Sequence, residues 1–303
     1  MKTKLTKKGL IGNGLLFIIA LLSMAATRQF GYSKTAGTDT TLLSFDTSLL
    51  KLNGASEDNA INAPAIGMNN QAATYVKKYI ANNSDDLDLI REKSSPYFKI
   101  TDAVFSKYGL PQELKYLAVV ESELNTTALS HVGARGAWQL MPGTARLLSL
   151  KITRKYDERT HFYKSTVAAA KYLRDLHAIF NDWLLVIASY NSGPGKVLDA
   201  MKKSGSRNFW KLQNYLPAET RGHVKRFVAI HYYFEGKGSV TTLTRDEAAA
   251  YRKKMLLFVA EQNALVKERQ GDTADFAWSK ASESTGAIAK SETAVEIKTP
   301  AKE

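Results

Sequence analysis

Between Gly109 and Asn125 the chain reads GLPQELKYLAVVESELN. Counting i, i+3, i+4, i+7 from Leu114 selects Leu117, Ala118 and then Glu121, so a carboxylate takes the fourth place in an apolar stripe. A carboxyl on an apolar face holds a proton more readily than one in water, and a general acid needs that property. Glu123 lies about 200° further round an ideal helix and is expected to face solvent. The competing reading of Glu121 is a structural ion pair with Arg135 or Arg146.

Two further stretches carry groups that suit a polar substrate. In GAWQLMPGTA, residues 136–145, Trp138, Leu140 and Met141 surround a single amide, Gln139. An aromatic and a thioether beside an amide have the makings of a sugar subsite, with a core role for Trp138 as the alternative. In ASYNSGPGKV, residues 188–197, a helical pattern ends in Tyr190 and Asn191 before a Gly-Pro-Gly turn, which aims their polar tips toward a cleft. The five histidines, His131, His161, His177, His223 and His231, form no HExxH pair and no ligand cluster, so no metal or other cofactor is expected. No serine stands in a nucleophile-elbow context. The chain has no cysteine, which excludes a thiolate nucleophile, thiolate metal sites and disulfides.

These groups need helices to hold them. Pro111 suits a first helical turn, and Gln112 to Leu124 contains neither Gly nor Pro, which predicts one helix ending beyond Glu121. Apolar spacing predicts short helices between Asn69 and Pro111, and further helices over Thr144 to Leu150, Thr166 to Ile179, Asp182 to Tyr190, Glu219 to Phe234 and Asp246 to about Glu268. The expected fold class is mainly α. Lys2, Lys4, Lys7 and Lys8 precede an apolar run from Leu10 to Ala26, so residues 1–25 read as a signal peptide, or as an uncleaved membrane anchor. Residues 26–68 read as a poorly ordered spacer, 236–276 as a C-terminal helical extension and 277–303 as a flexible tail.

The composition is that of a globular protein, 44% hydrophobic and 23% charged, with a net charge of +13 that falls to +9 if the four signal lysines are removed. A basic exported protein suits an anionic partner such as a cell-wall polymer or a membrane surface. No segment resembles the aromatic and basic cores of common RNA-binding modules, so nucleic acid is not expected as a partner.

Four stretches in order, Glu121-Ser122, GAWQLMP, ASYNSGPG and LPAETRGHV (residues 216–224), resemble the lytic transglycosylases with a lysozyme-like SLT domain, and most of all the membrane-bound type D group. The lead-in segments YVKKYI, SSPYF and YGLPQELKYLAVVES extend the resemblance, which makes residues 69–235 the catalytic domain. It implies a helical lysozyme-like fold and cleavage of the MurNAc-β-1,4-GlcNAc bond of peptidoglycan without water. Glu121 would be the sole acid and base, and the product would end in 1,6-anhydro-MurNAc. Residue by residue it implies Ser122 beside the acid, Ser130 near the intermediate, Gln139 and Met141 on the substrate, Tyr190 near the reacting sugar and Asn191 holding the cleft. His223 stands where many relatives have Tyr, which leaves that substrate contact open. Glu123, Asp157, Glu158 and Glu219 are the rival acids. The implied partners are peptidoglycan glycan strands, with cell-wall or membrane-associated proteins beside them, and the implied location is the periplasm or cell envelope. No LysM-like segment follows the domain. A muramidase-type hydrolase on the same fold and a non-catalytic glycan-binding scaffold are the competing functions.

Overall fold

A computed structural model describes residues 63–291, with side chains to residue 268. The expected signal or anchor and nearly all of the expected spacer lie outside the described residues, as does the tail beyond Ser291. The described residues are mainly helical, as the sequence predicts, and the only β pairing among them is isolated bridges. Residues 65–250 form one compact unit, and residues 251–291 fall in a second.

Instead of several short helices, the stretch before Pro111 is one 39-residue element, α1 (Asn70–Tyr108), kinked at Asn83. There the backbone turns to φ −132° and ψ 16°, and the Asn83 side chain donates to the Tyr79 carbonyl. Pro96 does not end the helix. Leu87, Ile90, Ser94, Thr101, Val104 and Phe105 keep a buried stripe at intervals of three and four on both sides of it, and α1 packs on α4 (Phe162–Phe180) and α8 (Ala218–Glu235). Burying those side chains, at about 2 kcal/mol each for the larger ones, outweighs the cost of about 3 kcal/mol for an interior proline.

At the centre lies α5 (Trp183–Ser192), whose first seven residues are all buried. It packs on α4, α6 (Pro194–Ser204) and α8. A helix apolar all round can only be a core helix. Its start is set by Asp182, whose side chain accepts from the Leu185 N–H as an N-cap and also from the Arg245 N–H, where α9 (Arg245–Ser291) begins. The Gly-Pro-Gly stretch does more than turn. Gly193 takes φ 84° to leave α5, and Pro194 opens α6, a helix absent from the sequence reading because Gly-Pro-Gly reads as a turn, although Val197, Ala200 and Met201 recur at helical spacing. α7 (Phe209–Leu212) follows, a single turn with Asn208 as its cap. α9 continues to Ser291, well past Ala277, where composition predicts a flexible tail.

Candidate active site

The segment carrying Glu121 is not one helix. Gly109 ends α1 at φ 65°, Gln112–Lys115 forms a 3-10 turn, and α2 (Tyr116–Ser122) is only seven residues long. Glu123 and Leu124 both adopt left-handed backbone, at φ 55° and 66°. The N–H of Leu124 returns to the Ala118 carbonyl and that of Glu123 to Val119, closing a Schellman-type end with no glycine in it. Glu121 therefore occupies the last turn of a helix whose Tyr116, Leu117, Ala118 and Val119 are buried.

This corrects the expectation for Glu123. Because the helix stops at Ser122, the 200° wheel no longer applies. Glu123 is partly buried, and burial pushes its carboxyl up, with Lys93 pulling it down and Asp86 adding to the rise. The ion pairs considered for Glu121 do not form either. Its partner is His223 on α8, whose Nε2 lies 2.9 Å from Glu121 Oε1. The Glu121 side chain is 14% exposed and that of His223 only 2%. Arg135 instead approaches Asp157, at 3.7 Å, and Arg146 is exposed.

Below α2 the GAWQLMP stretch folds into a compact loop, pinned by antiparallel bridges from Arg135 to Leu129 and Leu140. Gly136 (φ 83°) lets it close: a Cβ there would stand 2.0 Å from the Arg159 carbonyl oxygen. Ser122 donates to the Ala137 carbonyl at 2.9 Å, tying this loop to α2 directly behind Glu121. Ser130 accepts from the Ala134 N–H at 2.9 Å and shapes the preceding turn. Gln139 sits at φ 45° with its amide donating to the Gly136 and Ala128 carbonyls, and Met141 is partly exposed at the N-cap of α3 (Pro142–Leu147). Trp138 is not a subsite wall. It is fully buried, and its indole N–H donates to Thr166 Oγ1 at 2.9 Å.

From α5, the Tyr190 hydroxyl donates to the Trp138 carbonyl at 2.7 Å. Its phenol is held well above its ordinary value, first by burial and then by the Glu121 charge, which places Tyr190 within electrostatic reach of Glu121. Asn191 accepts from Thr220 Oγ1 at 2.8 Å and links α5 to α8. Glu121, Ser122, Gln139, Tyr190, Asn191 and His223 thus belong to one connected set drawn from α2, the loop, α5 and α8. Ser130 and Met141 flank the loop.

The rival acids separate on their partners. Asp157 is held below the ordinary carboxylate range by hydrogen bonds from the Arg159 guanidinium, which also donates to the Gly133 and Leu140 carbonyls. Glu158 is lowered by the Lys151 N–H and by Lys164. Both therefore hold a proton less readily than an ordinary carboxyl, the opposite of what a general acid needs. Glu219 is different. Burial raises its carboxyl, with Arg226 and then His223 pulling it down and Glu121 adding to the rise, so it feels the charges of the pair. The sequence signal for this was available: Glu219 and His223 are four residues apart on one helix and share a face.

The family model described as the transglycosylase SLT domain matches residues 100–213. The membrane-bound lytic murein transglycosylase D of Escherichia coli K12 is 36% identical over 189 residues, which is 60% of this chain and 41% of that protein. The soluble lytic murein transglycosylase of Salmonella typhimurium is 31% identical over 125 residues, 39% of this chain and 19% of that protein. Among solved structures, the 70 kDa soluble lytic transglycosylase of Escherichia coli overlays with a TM-score of 0.41 at 28% identity, covering 48% of this chain and 26% of that one. The match spans less than half the length of each of these two sequence relatives. Residues 100–213 match the transglycosylase SLT domain, and over that region and its flanks the chain is similar to lytic murein transglycosylases.

Proposed function

We propose that this protein cleaves the MurNAc-β-1,4-GlcNAc bond of peptidoglycan glycan strands without water, in turnover or remodelling of the cell wall. The observation that carries the reading is the state of Glu121. Its Oε1 is engaged by His223, its Oε2 has no hydrogen bond among the described residues, and it ends an apolar helix beside a loop held from behind. In the first half-reaction the Glu121 carboxylic acid gives its proton to the glycosidic oxygen as the bond from that oxygen to C1 of MurNAc breaks. In the second, the carboxylate takes the proton of the sugar's own 6-hydroxyl while that oxygen bonds to C1. One carboxyl serves both halves, and the product ends in 1,6-anhydro-MurNAc. Tyr190, Gln139 and Ser130 border the place where the 6-hydroxyl would be held, and Met141 its apolar side.

A basic chain with a signal-like start suits export to the periplasm or cell envelope, where this substrate lies. Among the described residues no helix is long and apolar enough to cross a membrane. One observation favours a second reading. Glu219 is a partly buried carboxyl within reach of Glu121, and a hydrolase of the muramidase type uses two carboxyls. Mass analysis of muropeptides released from purified sacculi decides between them. Products lighter by one water and resistant to borohydride reduction are expected. Reducible products would establish the hydrolase with Glu219 as its second acid, and binding without cleavage would leave a scaffold.

A further inference from the structure

His223 stands where resemblance to the family places a substrate contact, yet its tip does not face open space. It is buried, its Nε2 is taken up by Glu121 Oε1 at 2.9 Å, and its Nδ1 is buried with no partner. A carboxylate can only accept, so the imidazole nitrogen facing it must carry the hydrogen. A second hydrogen, on Nδ1, would point at no acceptor. Toward the Glu121 carboxylate the ring therefore acts as a donor through Nε2.

That arrangement divides the two oxygens of Glu121. A carboxylic acid has one oxygen that bears the proton and one carbonyl oxygen that accepts. With a fixed N–H on Oε1, the proton of the acid form must sit on Oε2. When the proton leaves, Oε1 keeps the same bond and Oε2 becomes the base. We propose that His223 is a positioning residue that assigns Oε2 of Glu121 as the reacting oxygen in both half-reactions, an inference that rests on the transglycosylase reading above. It holds the carboxyl from α8, the helix packed against α2, and so adds a tie from a second element to the one that Ser122 makes with the loop. The charged and titratable groups around the pair are Glu219 on the same face of α8, Tyr190 on α5, Lys196 on α6 and Arg226 one turn beyond His223. None of them is hydrogen-bonded to either oxygen of Glu121 among the described residues. A tyrosine, which many relatives carry at this place, also brings a donor to the end of a ring. The difference is that a hydroxyl can donate or accept, whereas the Nε2–H tautomer has one direction.

The test combines kinetics with a spectroscopic reading of the resting protein. His223→Phe keeps an aromatic of similar bulk and removes the donor. It should lower kcat by about 10- to 100-fold with KM within about twofold, because a loosened carboxyl is misplaced in the transition state while binding is untouched. His223→Gln restores a donor at nearly the same reach and should recover kcat to within about fivefold of the parent. A raised KM with unchanged kcat would make His223 a substrate contact and overturn the proposal, as would an unchanged kcat. Long-range nitrogen–proton NMR, at a pH above the imidazole range, should show the His223 proton on Nε2 alone, and this preference should be lost in Glu121→Ala. The same tautomer in both proteins, or a proton on Nδ1 in the parent, would overturn it even if His223→Phe does not fold. The NMR result needs no substrate, so a protein that cuts no glycan strand refutes the proposed function and leaves the hydrogen-bond assignment to be decided by the spectra.

Discussion

Each titratable group near Glu121 differs from the next in what surrounds its charge, and that difference assigns the roles. Asp157 and Glu158 are bound to cations and to backbone N–H groups, which keep them ionised. Glu121 has one oxygen held and one available. Glu121→Gln keeps the shape and the hydrogen-bonding capacity but has no acidic proton. It should lower glycan cleavage by at least about a thousandfold, the upper range for a lost general acid, while the thermal midpoint stays within a few degrees. Glu123→Gln should remain within a few fold of the parent. If the two variants behaved the other way round in a turbidity assay on sacculi, the acid would have to be reassigned. The sequence shows Glu121 through its place in an apolar stripe. It could not show the partner, because His223 is 102 positions away and only the packing of α2 on α8 brings them together. Nor could it assign Trp138. The same indole in the same stretch reads as a subsite wall or as core, and the Thr166 hydroxyl that receives its N–H comes from another helix.

At the level of elements, the site depends on two devices that hold backbone. The first is Gly136, where the loop passes against the Arg159 carbonyl. Gly136→Ala forces both a left-handed alanine and a clash with backbone, and should destabilise the protein by at least about 2 kcal/mol. Activity should fall with it, since Ser122 and Gln139 both bond to this loop. A urea midpoint equal to that of the parent would mean that the loop relaxes without cost. The second is Asp182, a single carboxylate that receives the Leu185 N–H at the start of α5 and the Arg245 N–H at the start of α9. Asp182→Ala uncaps α5 and takes one acceptor from the start of α9, where the Thr244–Glu247 pair remains, and should cost about 1 to 2 kcal/mol, whereas Asp182→Asn, which keeps an acceptor, should recover part of the loss. Equal stability of the alanine and asparagine variants would show that the caps contribute nothing. α4, α5 and α8 are legible in the sequence to within a few residues, α4 and α8 by apolar spacing and α5 as an apolar run bounded by Asp182 and Gly193. α2 was overextended because nothing in ESELN marks a stop: the left-handed turn at Glu123 and Leu124 is imposed by burial of Leu124 and by the return of its N–H to Ala118.

On the scale of the whole molecule, buried histidines tie stability to pH. His177, stacked on Trp183 at 4.1 Å, and His231, fully buried, are both pushed down to about 4 by burial. A folded value below the unfolded one means that their contribution is present above the ordinary imidazole range, near 6.5, and is lost as pH falls toward 4. Each is worth at most about 3 kcal/mol over that window. Asp182 runs the other way: burial raises it to about 6, so its contribution is present below the ordinary carboxyl range and is lost as pH rises through 6. Comparison with a variant isolates one histidine. His177→Phe keeps the ring stack and cannot titrate, so the drop in unfolding free energy between pH 6.5 and pH 4, read from urea titrations, should be smaller than in the parent by up to about 3 kcal/mol. Parallel pH curves for the two proteins would show that His177 does not titrate with unfolding. The sequence by itself determined the helical class, the order of the motif stretches and the resemblance to the SLT domain, because periodicity and short motifs are local properties that survive in one dimension. Tertiary structure alone decided that Glu121 pairs with His223, that Trp138 is core and that Glu123 is partly buried. Those outcomes depend on which helix faces which, and distances between residues a hundred positions apart are set by packing of the whole core rather than by any local pattern.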